Sequence, residues 1–286
     1  MPELPEVEIT ARLLDEALRD APIESATAPG VNALKTFDPP LRALEGERIV
    51  GVRRIGKHLV VDVSGELSLL IHLMSAGRLQ LYDKRAGPRD RTSRLLVRIA
   101  DPPTRELRLR EFGTRQRAWV KLLRTAEVAA DDSIAGLGPE AWPEPPADIA
   151  ALLAPHGARP LHAVLRDQHV IAGIGRSWVD EILWVAKLSP FKRGDDLDSA
   201  QAATLRSAIV DVLGGALAHY EDVVRLPVPD KLPLPLQVHR KQGEPCPRCG
   251  TTLEAVHYED YVMSYCPQEQ TGGKVLKDRR LSRLLK

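Results

Sequence analysis

The sequence has few aromatic residues, few cysteines, no long apolar run and almost no net charge. Aromatic side chains make up 4% of the 286 residues, and there are three cysteines. No apolar run approaches the roughly 18 residues that a membrane-spanning helix needs, so a helical membrane protein is excluded. No basic and then apolar signal segment opens the chain, so we expect a cytoplasmic protein, nucleoid-associated if bacterial. The net charge of +1 does not by itself indicate a partner.

The order of sequence patterns predicts an α+β fold. An amphipathic helix over about residues 3–18 precedes a series of short alternating runs separated by turn residues, such as 59–63, 69–73 and 95–99. This pattern is typical of an antiparallel β-sandwich. A proline-dense stretch at 136–146 ends the β-rich half, and helical patterns follow it.

We therefore divide the chain into four parts. Residues 1–135 form an N-terminal β-sandwich domain with flanking helices, and residues 136–150 form a linker. Residues 151–235 form a helical domain, whose last part, 226–235, is irregular and proline-rich. Residues 236–286 form a small module that ends in a basic tail.

All three cysteines lie in that last module. Cys246-x-x-Cys249 is followed, after sixteen residues, by Cys266-x-x-Glu269. Two short knuckles at this spacing are typical of a zinc ribbon, and a carboxylate can replace a thiolate as a zinc ligand. The alternative is a degenerate ribbon that folds by packing alone. A disulfide framework is not expected from an odd number of cysteines without a signal peptide.

The N-terminus is the most informative segment, and it reads Met1-Pro2-Glu3-Leu4-Pro5-Glu6-Val7. Removal of Met1 would leave a secondary amine on Pro2 beside the carboxylate of Glu3. An α-amine has a reference pKa of about 7.7–8.0, so part of it is unprotonated at neutral pH and can attack an aldehyde-like carbon. On these residues alone a helix start is the favoured interpretation, because proline suits the first helical turn and Glu3 and Glu6 suit the positive end of a helix dipole.

Taken together, these features resemble one family over essentially the whole chain. The N-terminal heptapeptide, the β-rich half, the segment Asp167-Gln168-x-x-x-Ala172-Gly173-Ile174-Gly175 and the terminal ribbon occur in this order. The chain resembles the formamidopyrimidine-DNA glycosylases (Fpg), within the superfamily that they share with the Nei endonucleases. The start Pro2-Glu3-Leu4 favours the Fpg branch, since a Nei-type start would read Pro-Glu-Gly.

The resemblance implies a catalytic centre at the N-terminus. Pro2 would attack C1′ of a damaged nucleotide, expel the base and leave a Schiff base, after which β- and δ-elimination cut the strand. Glu3 would protonate the sugar ring oxygen, and Glu6 would support the site. Lys57, in the turn Gly56-Lys57-His58, matches the hairpin lysine that supports the site and contacts phosphate.

The resemblance also implies residues that contact DNA. Enzymes that act on a base extrude it from the stack and fill the gap. Met74, Arg110 and Phe112 would fill it, with Arg110 facing the orphaned base. Phe112 is one of three phenylalanines and lies in a polar stretch, which is unusual for a core residue and suits a wedge.

The helical half resembles the helix–two-turn–helix domain of the family. Its turn at Gly175 would present backbone N–H groups to phosphate at a helix N-terminus. Arg176 follows where the family has asparagine, and it can still hold phosphate. Glu181 corresponds to a glutamate close to the active site. His162 occupies a position where lysine is often seen.

Two further departures concern DNA and lesion contacts. The ribbon arginine five residues before the third cysteine is replaced by Tyr261, so Arg240, Lys241 or the basic tail of residues 274–286 would compensate. The loop that caps an extruded 8-oxoguanine is Gly/Thr-rich in the family, whereas residues 226–235 are proline-rich here. The specificity for 8-oxoguanine therefore does not carry over.

The sequence thus predicts a bifunctional DNA glycosylase and abasic-site lyase that removes oxidised or ring-opened purines. Its partner would be double-stranded DNA with a damaged base or an abasic site, and it would act as a monomer without an organic cofactor. Structural Zn²⁺ is the expected metal. The alternatives are a non-catalytic damage-binding protein on the same scaffold and an abasic-site lyase with little base excision.

Overall fold

The computed structural model describes residues 2–30, 32–87, 90–101, 104–113, 115–258 and 261–276. Met1 and the basic tail beyond residue 276, both named above, lie outside the described residues. The chain folds into two compact units. Unit 1 comprises Met1–Gly136 with Leu217–Pro233, and unit 2 comprises Leu137–Ala216 with Leu234–Lys286. Residues 217–233, which the sequence assigned to the helical domain, are thus grouped with unit 1.

Unit 1 begins with a helix and continues with eight strands. Helix α1 spans Leu4–Leu18, and Glu3 is its N-cap rather than its first residue. The strands are β1 (Ile23–Thr27), β2 (Ile49–Ile55), β3 (His58–Val63), β4 (Leu67–His72), β5 (Gly77–Tyr82), β6 (Ser93–Ile99), β7 (Arg105–Glu111) and β8 (Trp119–Arg124). A short helix α2 (Asp132–Ala135) follows them.

The strands form two antiparallel four-stranded sheets, in the orders β1-β6-β7-β5 and β2-β3-β4-β8. Side chains alternate between the two faces of each strand, so every second residue points into the same core. Leu59, Val61 and Ile71 of one sheet share this core with Val97 and Leu109 of the other. Apolar residues of α1 complete the core. The antiparallel sandwich predicted from the alternation is confirmed.

Unit 2 is helical and ends in a two-stranded hairpin. Its helices are α3 (Ile149–Leu153), α4 (Leu161–Val164), α5 (Arg176–Val185), α6 (Ser199–Val223) and α7 (Pro267–Thr271). The part of α6 from Leu217 onward belongs to unit 1. Strands β9 (Glu254–His257) and β10 (Val262–Tyr265) pair antiparallel. The helical pattern predicted after the proline-dense stretch is confirmed by these helices. In the part of the chain described here, no helix is long and apolar enough to cross a membrane.

A row of three rings crosses the second sheet of the sandwich. His58, His72 and Trp119 occupy facing positions on β3, β4 and β8. The ring centroids of His58 and His72 are 4.6 Å apart, and His72 stacks on Trp119 at 5.7 Å. Burial lowers the pKa of His58 to about 4 and that of His72 to about 3, the charge of Lys57 adding to the second effect. Both imidazoles are therefore neutral at pH 7.

These two histidines make the fold sensitive to acid. In the unfolded chain each binds a proton near the reference pKa of about 6.5, whereas the folded chain excludes it until lower pH. The contribution of these two histidines to the free energy of unfolding should be constant above about pH 6.5 and should fall as the pH drops towards about 4. Each excluded proton lowers it by up to about 1.4 kcal/mol per pH unit.

Urea unfolding between about pH 7.5 and about pH 4.5 measures this slope. Nδ1 of His58 is buried with no hydrogen-bond partner among the described residues, and the imidazole also bonds the backbone of Ile55. His58→Phe removes this titrating group. It should reduce the slope, whereas His257→Gln, at an exposed histidine, should leave it unchanged. An equal slope in wild type and His58→Phe would contradict this assignment.

Candidate active site

The N-terminal residues are held by one buried carboxylate. Pro2 and Glu3 are buried ahead of α1, and Glu3 is 2% exposed. The backbone N–H of Glu3 donates to Oε2 of Glu6 at 2.7 Å. The hydroxyl of Tyr220 donates to Oε1 of Glu6, also at 2.7 Å. Glu6 therefore fixes the backbone next to Pro2, and its own position is fixed by Tyr220.

Tyr220 is a member of this site that the sequence reasoning missed. Burial raises the pKa of its hydroxyl, and the negative charges of Glu6 and Glu3 raise it further. The phenol therefore stays protonated and acts only as a donor to Glu6. Tyr220 lies 214 residues from Glu6 in the chain, so no local pattern could have pointed to the pair.

Lys57 lies at the tip of the β2–β3 hairpin. Gly56, which precedes it, has a φ of 55°, a left-handed conformation that favours glycine. Arg54 ties this hairpin to α1, because its Nε–H donates to Oε2 of Glu8 at 2.9 Å and an Nη1 hydrogen donates to the carbonyl of Gly56 at 2.9 Å. Lys57 itself is 8% exposed. The hairpin lysine and the N-terminal helix are thus joined through one guanidinium.

Met74 occupies a strained turn between β4 and β5. Its φ is 50°, which is uncommon for a residue other than glycine. Its backbone N–H donates to Nδ1 of His72 at 3.0 Å, so the neutral imidazole stabilises this conformation. A Cβ on Gly77 would lie 2.4 Å from the carbonyl oxygen of Leu73, so the turn also needs glycine there. Left-handed residues of this kind often occur at functional sites.

Arg110 and Phe112 lie at the end of β7, next to the Met74 turn. Strand pairing places Gly77, just after that turn, opposite Glu111. The guanidinium of Arg110 lies over the ring of Phe112, 4.6 Å from its centroid. It also donates to the hydroxyl of Tyr82 at 2.6 Å. Phe112 is 36% exposed. The strand pairing therefore places the Met74 turn at the same end of the sheet as Arg110 and Phe112.

In unit 2, α5 begins at the predicted glycine turn. Gly175 is its N-cap and Arg176 its first residue. Gln168 closes the preceding turn, since its Nε2 donates to the carbonyl of Ile174 at 2.8 Å and its Oε1 accepts the N–H of Gly173 at 2.9 Å. Gly173 has a φ of 105°. This arrangement fixes the start of α5, where backbone N–H groups can bind an anion.

Tyr261, which replaces the expected ribbon arginine, lies close to two arginines of unit 2. Its ring stacks on Tyr258 at 4.3 Å and on His162 at 5.8 Å. The guanidinium of Arg166 lies 4.3 Å from the ring centroid of Tyr261, and that of Arg176 lies 5.2 Å from it. The tyrosine therefore organises two cations at the position from which the family's own cation is missing.

Glu181 and Asp180 connect α5 to the ribbon. Glu181 is 3% exposed and accepts the backbone N–H groups of Gln237, Val238 and His239 at 2.9, 2.9 and 2.8 Å. Burial raises its pKa, although these three hydrogen bonds oppose the effect.

Asp180 is 1% exposed and binds His162 Nε2 at 3.1 Å, His239 Nδ1 at 2.7 Å and the N–H of Ser264 at 2.9 Å. His162, at the expected lysine position, is therefore a buried partner of Asp180, and burial lowers its pKa.

The two basic candidates of the ribbon follow this anchored segment. Arg240 is exposed, with a φ of 59°, and its N–H donates to the hydroxyl of Ser264 at 2.9 Å. Lys241 is half-buried. Both lie next to the backbone that Glu181 holds, so their backbone positions are fixed from α5.

The four predicted metal ligands come together in the ribbon. Ligand atoms of Cys246, Cys249, Cys266 and Glu269 all lie within 4.8 Å of one another. Hydrogen bonds from Thr251 lower the pKa of Cys249 to about 7, while burial raises that of Cys266 to about 12. Three thiols and a carboxylate are a donor set that suits Zn²⁺, so the residues fit this metal. The cluster could hold a metal ion at this site.

Glu269 also has cationic partners. Its carboxylate accepts a hydrogen bond from Nε of Arg248 at 2.5 Å and lies 3.7 Å from Nζ of Lys187. Arg248 in turn donates to the carbonyl of Trp184 and lies over its ring, 4.0 Å from the centroid. Glu269 therefore joins the knuckles to the end of α5 as well as facing the thiols.

Comparison with known proteins identifies the family. Residues 1–117 match the model of the formamidopyrimidine-DNA glycosylase N-terminal domain, and residues 137–227 match that of its H2TH domain. A formamidopyrimidine-DNA glycosylase of Moorella thermoacetica is 36% identical over 266 residues, which cover 90% of this chain and 94% of that protein. One of Lactococcus lactis subsp. cremoris is 30% identical over 275 residues, covering 93% and 98%.

Solved structures agree with this result. The Lactococcus lactis Fpg in complex with DNA containing an abasic site superposes with a TM-score of 0.81 at 27% identity, covering 94% of this chain and 99% of that one. The same enzyme with DNA containing N7-benzyl-Fapy-dG gives a TM-score of 0.82 at 27% identity, covering 94% and 100%. On these sequence and structural matches, the chain belongs to the formamidopyrimidine-DNA glycosylase family.

Proposed function

We propose that this chain is a base-excision DNA glycosylase and abasic-site lyase whose nucleophile is the amine of Pro2. The observation that carries the proposal is the fixed, buried position of Glu3 directly after Pro2, held by Glu6. The substrate would be double-stranded DNA with an oxidised or ring-opened purine or an abasic site, bound by a monomer in the cytoplasm. Relatives named as formamidopyrimidine-DNA glycosylases support this substrate class.

The proposed chemistry needs only groups of the chain and the substrate. The Pro2 nitrogen attacks C1′ and forms a C–N bond, while the bond from C1′ to the base breaks and the base leaves with a proton. Glu3 donates a proton to the ring oxygen as the sugar opens to an iminium. Loss of a proton from C2′ then expels the 3′ phosphate, and a second elimination expels the 5′ phosphate. Water finally hydrolyses the iminium and releases Pro2.

The other residues of unit 1 would position the DNA. Lys57 would contact a phosphate next to the reacting sugar, beside imidazoles that stay neutral and so add no competing charge. Met74 and Phe112 would fill the space left by the extruded nucleotide, and Arg110 would hydrogen-bond the orphaned base through its guanidinium. The left-handed conformation of Met74 supports this role, since a hydrogen bond to His72 stabilises it and so fixes the position of the side chain.

Unit 2 would bind the phosphate backbone. The N–H groups at Gly175 and the guanidinium of Arg176 would hold one phosphate. Arg166 would contact the same phosphate, because the ring of Tyr261 holds both guanidinium groups nearby. Arg240 and Lys241 would contact a further phosphate. Glu181 would be a supporting residue, because it fixes the backbone that leads to both.

We also propose that Cys246, Cys249, Cys266 and Glu269 hold one structural Zn²⁺. The ion would fix the two knuckles of the ribbon and take no part in the reaction. The approach of all four ligand atoms to within 4.8 Å of one another supports this proposal.

Trapping with borohydride tests the nucleophile. Wild type incubated with an abasic-site duplex and borohydride should form a covalent adduct, because borohydride reduces the iminium to a stable amine. Pro2→Gly should reduce the trapped fraction at least about tenfold, since the secondary amine is lost. Intact-mass spectrometry of the same samples should find Met1 removed. No adduct with wild type, or an undiminished adduct in Pro2→Gly with Lys57 intact, would contradict the proposal.

A panel of duplexes tests the choice between base excision and lyase activity alone. Duplexes with formamidopyrimidine, 8-oxoguanine, an oxidised pyrimidine and an abasic site should all be compared under single-turnover conditions. We expect release of formamidopyrimidine. Glu3→Gln should slow that step by about 10²–10⁴-fold, which is the usual contribution of a general acid to the rate. Cleavage of the abasic duplex alone would leave only the narrower lyase activity, and binding without cleavage would leave a damage-binding protein.

Metal analysis tests the ribbon. The purified chain should contain about one zinc ion per molecule. Dialysis against a chelator should remove zinc faster from Glu269→Gln than from wild type, because a neutral amide is a weaker ligand than a carboxylate. Glu144→Gln, at an exposed position, is the matched control. A wild type without zinc would show that the ribbon is degenerate and folds by packing alone.

A further inference from the structure

The segment that follows α6 is bound to the sandwich at Leu226, Val228 and Asp230. Leu226 packs against the sandwich core, and Val228 is 2% exposed. Pro227, Pro229 and Pro233 restrict its backbone. Residues 217–233 belong to unit 1 as a whole. This segment, which we call the wall segment (residues 226–233), is therefore part of the same body as Pro2 and Glu3.

Gln80 on β5 is the first anchor of the wall segment. It is 2% exposed, and its Nε2 donates to the carbonyl of Val228 and to Oδ1 of Asp230, the latter at 3.0 Å. Its Oε1 accepts the hydroxyl of Tyr82 at 2.8 Å. The reverse orientation of the amide would place an oxygen against two acceptors, so the network fixes the orientation. A buried amide with both ends bonded is costly to release.

This anchor continues to the residue proposed to face the orphaned base. The hydroxyl of Tyr82 donates to Gln80 and accepts an Nη1 hydrogen of Arg110 at 2.6 Å. Arg110 Nη1 also lies 4.0 Å from Oδ1 of Asp230. The wall segment and the guanidinium of Arg110 are thus held by the same two side chains.

Arg78 is the second anchor of the wall segment, and it binds the backbone of Asp230. It lies two residues before Gln80, on the same face of β5. Its Nε–H donates to the carbonyl of Asp230 at 2.7 Å. Burial lowers the pKa of Arg78, while the charges of Asp230 and Glu6 oppose this effect. The guanidinium therefore lies within the electrostatic reach of both the wall segment and Glu6.

The helix end that leads into the wall segment is tied to the same carboxylate. Tyr220 donates to Glu6, whose other oxygen accepts the N–H of Glu3. The segment is thus fastened at one end beside the proposed nucleophile and at the other beside Arg110. Within unit 1 the wall segment therefore links the residues proposed to react with C1′ to the residue proposed to face the orphaned base.

We propose that Gln80 and Arg78 are positioning residues that hold Val228–Asp230 as a preformed wall against the extruded base. The enzyme selects its lesion by fit to this fixed wall, without closing a loop over it. The inference rests on the proposed glycosylase function. Removal of a base depends on the wall, whereas cleavage at a ready-made abasic site, which has no base to place, does not.

Gln80→Met tests the proposal, because methionine keeps the length of the side chain and loses all its strong hydrogen bonds. The single-turnover rate of formamidopyrimidine release should fall about tenfold, as expected for a modest misplacement of the reacting groups. Cleavage and borohydride trapping on an abasic duplex should stay within about twofold of wild type, since the catalytic residues are unchanged. Arg78→Met should behave in the same way.

Two control variants separate positioning from general damage to the fold. Glu45→Gln, at an exposed carboxylate of the same unit, should leave base release and abasic-site cleavage unchanged. Gln201→Met makes the same change in unit 2 and should alter neither reaction. An equal fall of both reactions in Gln80→Met, or no fall in base release, would overturn the inference. A wild type that cleaves abasic DNA but releases none of the bases would also overturn it, whereas a wild type inactive on every duplex would overturn the proposed function itself.

Discussion

The carboxylate of Glu6 is the contact on which the proposed active site depends. One oxygen holds the N–H of Glu3 and the other holds the hydroxyl of Tyr220. All three side chains are buried, and a buried carboxylate that loses a donor carries the full cost of desolvation. The arrangement is therefore rigid where the backbone would have to present Pro2 in a fixed direction. It also makes the end of α6 part of the unit that carries the proposed active site.

Two neighbouring carboxylates in α5 have a comparable role in unit 2. Asp180 and Glu181 are consecutive, so their side chains point about 100° apart around the helix and reach different partners. Glu181 holds the backbone at 237–239, and Asp180 binds the imidazoles of His162 and His239 and the backbone N–H of Ser264. Neither is exposed enough to meet DNA directly. The ribbon and the helix that begins at Gly175 are thus held in one arrangement by buried charge, and the groups proposed to bind phosphate lie around it.

The sequence predicted the fold well and the site in part, for different physical reasons. Strand alternation and the Gly-x-Gly turn are local signals, so the sandwich and the start of α5 could be predicted to within a few residues. The roles of Pro2, Glu3 and Met74 came from the family resemblance and stay predictions. What the sequence could not reveal are contacts between distant residues: Tyr220 with Glu6, and Gln80 with Val228, 148 residues apart. Such pairs leave no periodicity or spacing in the chain.

The ribbon shows how one substitution can serve two kinds of contact. A thiolate in place of Glu269 would face the metal and little else, whereas the carboxylate also accepts a hydrogen bond from Arg248 and lies near Lys187. Arg248 reaches the carbonyl of Trp184 at the end of α5, so this knuckle is joined to the helix without any ion. Cations beside a ligating carboxylate also orient it, as outer partners do in metal sites generally. The same contacts would orient the fourth ligand when zinc is bound and hold the knuckle to α5 when it is not. Replacement of a cysteine by glutamate therefore does not require the ribbon to lose its position beside α5, and with it the backbone that carries Arg240 and Lys241.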